Sequence, residues 1–140
     1  MNKVSYKSNF DKAEKAILKA CDNSIKESEY FLKDRLRRII NVKFNKITGT
    51  LLKSVQSRIN FSEKVIRKVY VGISRDAFYG LFLDKGTGIR RHKKTGKSVG
   101  KLPQTRFIRS FYRENKEAVE AIISKYFKRI WYYDQFNISN

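Results

Sequence analysis

Apolar or small residues recur at helical spacing through the first third of the chain: Phe10, Ala13, Ile17, Ala20, Cys21, Ile25, Ser28, Phe31, Leu32, Leu36, Ile39 and Ile40. Lys12, Lys15, Lys19, Lys26, Lys33 and Arg37 fall on the other side. This is the pattern of an amphipathic helix with one buried stripe. Met1–Lys7 is a polar lead, and Ser8-Asn9-Phe10-Asp11 predicts the helix start, with Ser8 as cap and Asp11 in the first turn. Unbroken to about Asn45, the helix measures on the order of 55 Å at about 1.5 Å per residue. That is longer than a domain of this size is wide, so the helix either breaks or projects onto a neighbouring subunit. Asp22-Asn23-Ser24 is the weak point, three poor helix formers in a row. Ser24 with Glu27 is placed to recap a second helix there.

Thr48-Gly49-Thr50 punctuates the chain, and Leu51–Ser54 reads as a helical turn. Val55, Ser57, Ile59 and Phe61 then alternate with Gln56, Arg58 and Asn60, which is strand period. Ser62-Glu63-Lys64 connects to a second strand, Val65–Ile73, with Val65, Val69, Val71 and Ile73 on one face. The two strands predict an antiparallel hairpin. Phe78–Leu83 is a third apolar run, read as a strand in preference to a short helix. Gly86–Lys101 follows as a long loop with four glycines, and loops above about 12–15 residues are usually functional or disordered. After Pro103 a second long helix is predicted from about Gln104 to Tyr132, with the stripe Ile108, Phe111, Ala118, Val119, Ile122, Tyr126, Phe127 and Ile130. Trp131, Tyr132, Tyr133 and Phe136 form an aromatic cluster, read as a core or subunit contact in preference to base stacking. The elements predict one α+β domain over residues 1–140: an N-terminal helical region (8–46), a sheet region (47–85) holding a small antiparallel β-sheet, a long basic loop (86–103) and a C-terminal helix (104–133).

Composition sharpens this picture. The 140 residues contain 32 Lys plus Arg and 13 Asp plus Glu, a net charge of +19, with 41% apolar residues. A chain of this length buries roughly 68–70% of its unfolded surface and folds without disulfides or metal. No apolar run reaches the roughly 18–20 residues of a membrane span, and the polar first residues predict no secretory signal. With Cys21 as the sole cysteine, an intramolecular disulfide and a Cys-rich zinc site are excluded. The expected product is a soluble, intracellularly made, very basic domain without cofactor or metal.

The charge is uneven. Met1–Lys46 carries a net +6, Ile47–Lys85 +4 and Phe111–Asn140 +1, whereas Gly86–Ser110 has 8 basic residues and no acid, a net +8. So basic a loop repels itself unless it is solvated and mobile or faces an anion or acidic partner. Arg90, Arg91, Lys93, Lys94, Lys97 and Lys101 are its candidate contact residues.

Catalytic chemistry is poorly supported. His92, the single histidine, lies among cations with no carboxylate near it in sequence to orient it as a base. Asp76 and Asp84 are too few for a nuclease centre. Thr95-Gly96-Lys97-Ser98 suggests a phosphate-binding loop, but Arg91 stands where the first glycine of that motif belongs, and no strand–helix context surrounds it. Cys21 reads as a small core residue. No recognition helix, RNP-like strand or zinc-finger spacing is present, so any nucleic-acid contact is expected to be phosphate-directed and sequence-blind.

Three separated segments, in order, carry a resemblance. Thr48-Gly49-Thr50-Leu51-Leu52-Lys53-Ser54-Val55 is similar to a Thr-Gly-x-Leu-x-x-Ser-Ile/Val segment after a long N-terminal helix. Tyr79-Gly80-Leu81-Phe82-Leu83-Asp84-Lys85-Gly86-Thr87 is similar to Tyr-Ala-x-x-x-Glu-x-Gly-Thr. Leu102-Pro103-Gln104-Thr105-Arg106-Phe107-Ile108-Arg109-Ser110-Phe111 is similar to Pro-x-x-Pro-Phe-Leu-Arg-Pro-Ala at the start of a C-terminal helix. Together they resemble the small tail-component family of tailed bacteriophages: minor tail protein Z-like, head–tail joining or tail-completion proteins. The likeness spans roughly Ser8–Trp131, with Asp84, Gly80, Thr105-Arg106 and Ser110 departing from the pattern.

The motif residues Thr48, Gly49, Leu51, Ser54, Tyr79, Asp84, Gly86, Thr87, Pro103 and Phe107 read as structural. Gly49 and Gly86 suit turns with positive φ, Thr48 a cap, Tyr79 and Phe82 packing, and Pro103 the start of a helix. Asp84 is placed to anchor the basic loop through Arg90 or Lys101. The resemblance implies an α+β fold and a non-enzymatic virion role, as a ring of copies at the neck or upper tail. Neighbouring connector, neck or tail proteins would be its partners, and the loop would face either genomic DNA or an adjoining ring. The rivals are a free-standing basic nucleic-acid-binding protein and a small nuclease using Asp76, Asp84 or His92.

Overall fold

The structure is a computed structural model that describes residues 6–44, 48–61, 66–77 and 79–137, with side chains described for 10–44, 49–61, 66–77 and 79–130. The fold is α+β, with a long N-terminal helix, a small two-stranded antiparallel sheet and a long C-terminal helix. Helix α1 (Tyr6–Lys43) is followed by α2 (Thr48–Lys53), β1 (Val55–Asn60), β2 (Lys68–Ile73), a 3-10 turn (Arg75–Ala77), α3 (Tyr79–Lys85), β3 (Arg90–Arg91), β4 (Ser98–Gly100) and α4 (Phe107–Asn137). β1 pairs with β2, and β3 with β4, as two separate two-stranded sheets.

Several elements differ from the sequence reading. α1 starts before Ser8 and runs through Asp22-Asn23-Ser24 without a break. Ser24 does not recap a helix. Its hydroxyl donates to the Cys21 carbonyl at 2.8 Å, and the side chain is buried. This internal bond satisfies the hydroxyl that would otherwise compete for backbone at a helix start. The run Phe78–Leu83 is helical: α3 buries Gly80 and Leu83, three residues apart on one face. A short apolar run carries no period to separate the two states, and packing decides. Phe78, Val65 and the Ser62-Glu63-Lys64 connector lie outside the described residues, as do the ends of the lead at Met1 and of the first helical region at Asn45. Phe61 falls just past β1 and is exposed, with the Arg67 guanidinium 5.4 Å from its ring centroid. Gly49 sits inside α2 without positive φ.

The chain divides into two compact units. The first comprises Met1–Phe31, Arg58–Tyr70 and Glu117–Asn140. Its buried α1 positions are small: Ala20, Ser24 and Ser28. Ser28 Oγ finds no hydrogen-bond partner among the described residues. Polar ties hold this unit: Arg67 to Asp22 at 2.7 Å, Lys125 to Glu27 at 2.9 Å, and the Tyr126 hydroxyl to Glu27 at 2.5 Å. Those two donors hold the Glu27 carboxyl below its ordinary range, Tyr126 foremost, and the carboxylate in turn raises the Tyr126 phenol. The expected stripe residues Phe10 and Ile17 are exposed, contrary to their pattern. The side chains of the aromatic cluster at Trp131, Tyr132, Tyr133 and Phe136 lie outside those described.

The second unit comprises Leu32–Ser57 and Val71–Lys116. Its core is large and apolar: Leu32, Leu36, Ile40, Leu51, Val55, Val71, Leu83, Phe107 and Phe111 are buried. Phe44 meets Phe107 edge to face at 5.1 Å. Ser54 ties α2 to both strands, donating its hydroxyl to Leu51 O at 2.7 Å and accepting Ser74 N–H at 2.8 Å on its carbonyl. The Tyr112 hydroxyl donates to the Val71 carbonyl and joins α4 to the strand.

Candidate functional site

The predicted basic loop is built as a hairpin on a backbone clamp, all of it within the second unit. The clamp joins the end of α3 to the start of α4. Thr87 N–H donates to Leu102 O at 3.0 Å, and Leu102 N–H donates back to Thr87 Oγ1 at 3.1 Å. Thr105 gives its hydroxyl to Leu83 O at 2.6 Å, and Arg106 N–H bonds Asp84 O at 2.9 Å. Gly86 has the positive φ expected of it, +73°. A Cβ there would stand 2.8 Å from Leu102 O and 2.9 Å from Gln104 N. Only glycine lets the two strands of backbone approach so closely.

Asp84 does not reach out to Arg90 or Lys101. Its carboxylate accepts Ile108 N–H at 2.8 Å. Ile108 is the second residue of α4, so Asp84 caps that helix from a different segment. The reason lies at Arg106, whose carbonyl accepts the first helical bond from Ser110 and whose side chain has no acceptor to cap with. Arg106 is also held at φ +49°, in the left-handed region. Pro103 lies four residues before α4 rather than at its start, because Gln104–Arg106 are used by the clamp. Phe107, the first helical residue, is 1% exposed and anchors the clamp in the core.

Beyond the clamp the chain leaves the core. Every residue from Gly88 to Lys101 is exposed. Arg90 pairs with Gly100 and Arg91 with Ser98, with an irregularity between them. His92 N–H donates to Lys97 O and Gly96 N–H to His92 O, both at 2.8 Å. Gly96 adopts φ +65°, which closes the Lys93–Gly96 turn. Arg90, Arg91, Lys93, Lys94, Lys97 and Lys101 are therefore all carried on one exposed ribbon, with no carboxylate in it. Beside the clamp runs an open groove of about 650 Å³, whose walls include Lys85 and Lys101.

The remaining motif residues support the clamp. Leu51 is fully buried, and a Cβ on Gly80 would come 2.9 Å from its Cδ1. Tyr79 is half-buried, whereas Phe82 is 44% exposed. Thr48 opens α2, and its capping side chain lies outside those described. Asp76 accepts from Ser74 Oγ at 3.2 Å in an exposed turn, Asp84 caps α4, and the hydrogen bonds at His92 are made by its backbone. Among the described residues no group of three His, Cys, Asp or Glu side chains is placed to hold a metal ion. None of the described helices is long and apolar enough to cross a membrane.

Sequence reasoning missed the Asp84 cap, the Arg106 conformation and the pairing of the ribbon. Gly96 between Arg90-Arg91 and Ser98-Val99 was the available signal for the last of these. The chain matches no protein-family model, no curated protein and no solved structure.

Proposed function

We propose that this chain is a non-enzymatic assembly component of a tailed-bacteriophage particle, of the head–tail joining or tail-completion kind. It acts as one copy in a homo-oligomeric ring at the neck or upper tail, and its basic ribbon engages a polyanionic surface on the DNA path or on the adjoining ring. The observation that carries this reading is the coupling of clamp and ribbon. Two of the three family-like segments, Tyr79–Thr87 and Leu102–Phe111, are stitched together by backbone bonds and hold six cations clear of the core. A rigid base under an exposed charged ribbon suits docking on an anionic surface.

The test is to neutralise the ribbon by changing Arg90, Arg91, Lys93, Lys94, Lys97 and Lys101 to Gln. Head–tail joining and infectious titre are expected to fall while the circular dichroism and melting of the protein stay unchanged, because these residues are exposed. Normal particles from the neutralised variant would sink the proposal.

A second reading, a free-standing sequence-nonspecific nucleic-acid-binding protein, is favoured by the turn itself, which offers cations without an aromatic anchor. Neutralising about six phosphates predicts a log–log salt slope of roughly −5 on duplex DNA. Binding by the isolated chain with that slope, without any effect of neutralisation on particles, selects this reading.

A further inference from the structure

The groove beside the clamp has a chemistry of its own. It measures about 650 Å³, and its walls are two stretches of chain, Lys85–Gly88 and Lys101–Gln104. Neither stretch contains an acid. Asp84, the carboxylate next in sequence, is not in the wall and accepts Ile108 N–H at 2.8 Å instead. Lys85 and Lys101 are exposed, and among the described residues neither makes an ion pair. Two cations therefore border the groove with no anion set against them.

The backbone of these walls is held in place and still has donors to offer. The paired bonds of Thr87 and Leu102, at 3.0 and 3.1 Å, join the two stretches, and Gly86 lets them approach. Within the described residues no hydrogen bond engages the N–H of Gly88 or of Gln104. A Cβ on Gly88 would meet nothing within 4 Å, so the backbone there is open to an incoming group. Leu102 is half-buried and Pro103 exposed, and they add carbon surface beside the polar groups.

We propose that this groove binds a phosphate ester. The phosphate is held by the Lys85 and Lys101 ammoniums and the Gly88 and Gln104 amides, and its organic group lies along Leu102 and Pro103. Ammonium and amide donors without a competing carboxylate select an anion, and a phosphate supplies more charge and more acceptor oxygens than a carboxylate does. The volume points to an ester and not to the bare ion, because sites for small organic molecules occupy roughly 300–1,000 Å³. Walls already fixed by the clamp bind with little ordering cost. A free nucleotide and a nucleic-acid strand offer the same chemistry, and the test separates these two sources. The site shares Lys101 with the ribbon but needs neither the other ribbon cations nor a phage role.

Amide chemical shifts of the full chain, followed by nuclear magnetic resonance during titration, test it. The probes are inorganic phosphate, a nucleoside monophosphate and a short single-stranded oligonucleotide, each compared with sodium chloride at matched ionic strength. Saturable shifts are expected at Gly86–Gly88 and Lys101–Gln104, with the nucleotide binding more tightly than inorganic phosphate. An oligonucleotide that binds these amides more tightly still assigns the ester to a nucleic-acid strand, and the reverse order assigns it to a free nucleotide. Lys85→Gln with Lys101→Gln is expected to weaken nucleotide binding by roughly tenfold or more. Both side chains are exposed, so unaltered circular dichroism is expected in that variant. A chain with Arg90, Arg91, Lys93, Lys94 and Lys97 changed to Gln and Lys101 kept is expected to bind the nucleotide as the wild type does, which separates failure of this site from failure of the functional reading. Shifts no larger than those in sodium chloride, shifts confined to other segments, inorganic phosphate binding as tightly as the nucleotide, or binding unaffected by the double lysine change overturns the proposal.

Discussion

The two units bury different things. Where α1 passes through the first, it buries Ala20, Ser24 and Ser28; where it passes through the second, it buries Leu32, Leu36 and Ile40. The spacing is the same four residues in both, so the difference is one of side-chain size and not of pattern. The second unit adds Leu51, Val55, Phe107 and Phe111 to those aliphatics and finishes with a backbone clamp. In the first, the described contacts are polar ties at partly exposed positions. Exposed ion pairs contribute little, about 0–1 kcal/mol each, whereas a fully buried large apolar side chain contributes about 1.5–3 kcal/mol. Among the described residues, the large buried apolar side chains are therefore concentrated in the second unit.

The largest expected effect that tests this contrast is Phe107→Ala. It should cost about 3–5 kcal/mol in urea unfolding, the range for deleting a buried aromatic. A loss under about 1 kcal/mol would mean that the core of the second unit is not where its stability lies. Next is Asp84→Ala, which removes the cap of α4 and one side of the clamp. A loss of about 1–2 kcal/mol is expected, with faster hydrogen exchange at Ile108 N–H. Unchanged exchange there would contradict the cap.

The smallest effect is the pH response of the first unit. Glu27 has a depressed carboxyl, so its contribution is present above the ordinary carboxylate value and is lost as pH falls through the lowered one. Tyr126 is raised, so its contribution is present below the ordinary phenol value of 10.0 and is lost as pH rises through the raised one. Nuclear magnetic resonance titration of Glu27 should show its carboxyl shifting toward the ordinary range in Tyr126→Phe, with Lys125 still holding it down. An unchanged titration would remove this tie from the comparison.

Much of the architecture was legible because it depends on period. The stripe of α1, the alternation in β1 and the faces of β2 follow from side-chain directions that any helix or strand imposes. Gly86 was legible for a similar reason, since a Gly-Thr after an apolar run signals a turn. The ribbon was legible only in composition, as eight cations without an acid between Gly86 and Ser110. Its geometry was not. Asp84 was expected to meet a cation, because charge is what a sequence displays. The group that claimed it was the Ile108 amide, a backbone donor present at every helix start and invisible to residue identity.

By itself the sequence determined the α+β class, the two long helices, the strand pair and the place of the charge, because each is written in local periodicity or in counts. Tertiary structure decided the rest. It kept α1 continuous through Asp22–Ser24, turned Tyr79–Lys85 into a helix, joined residues 84–87 to 102–108 and left Phe10 and Ile17 bare. Each of those outcomes depends on which surfaces meet, and burial and backbone pairing between distant segments outweigh propensities worth well under about 1 kcal/mol per residue.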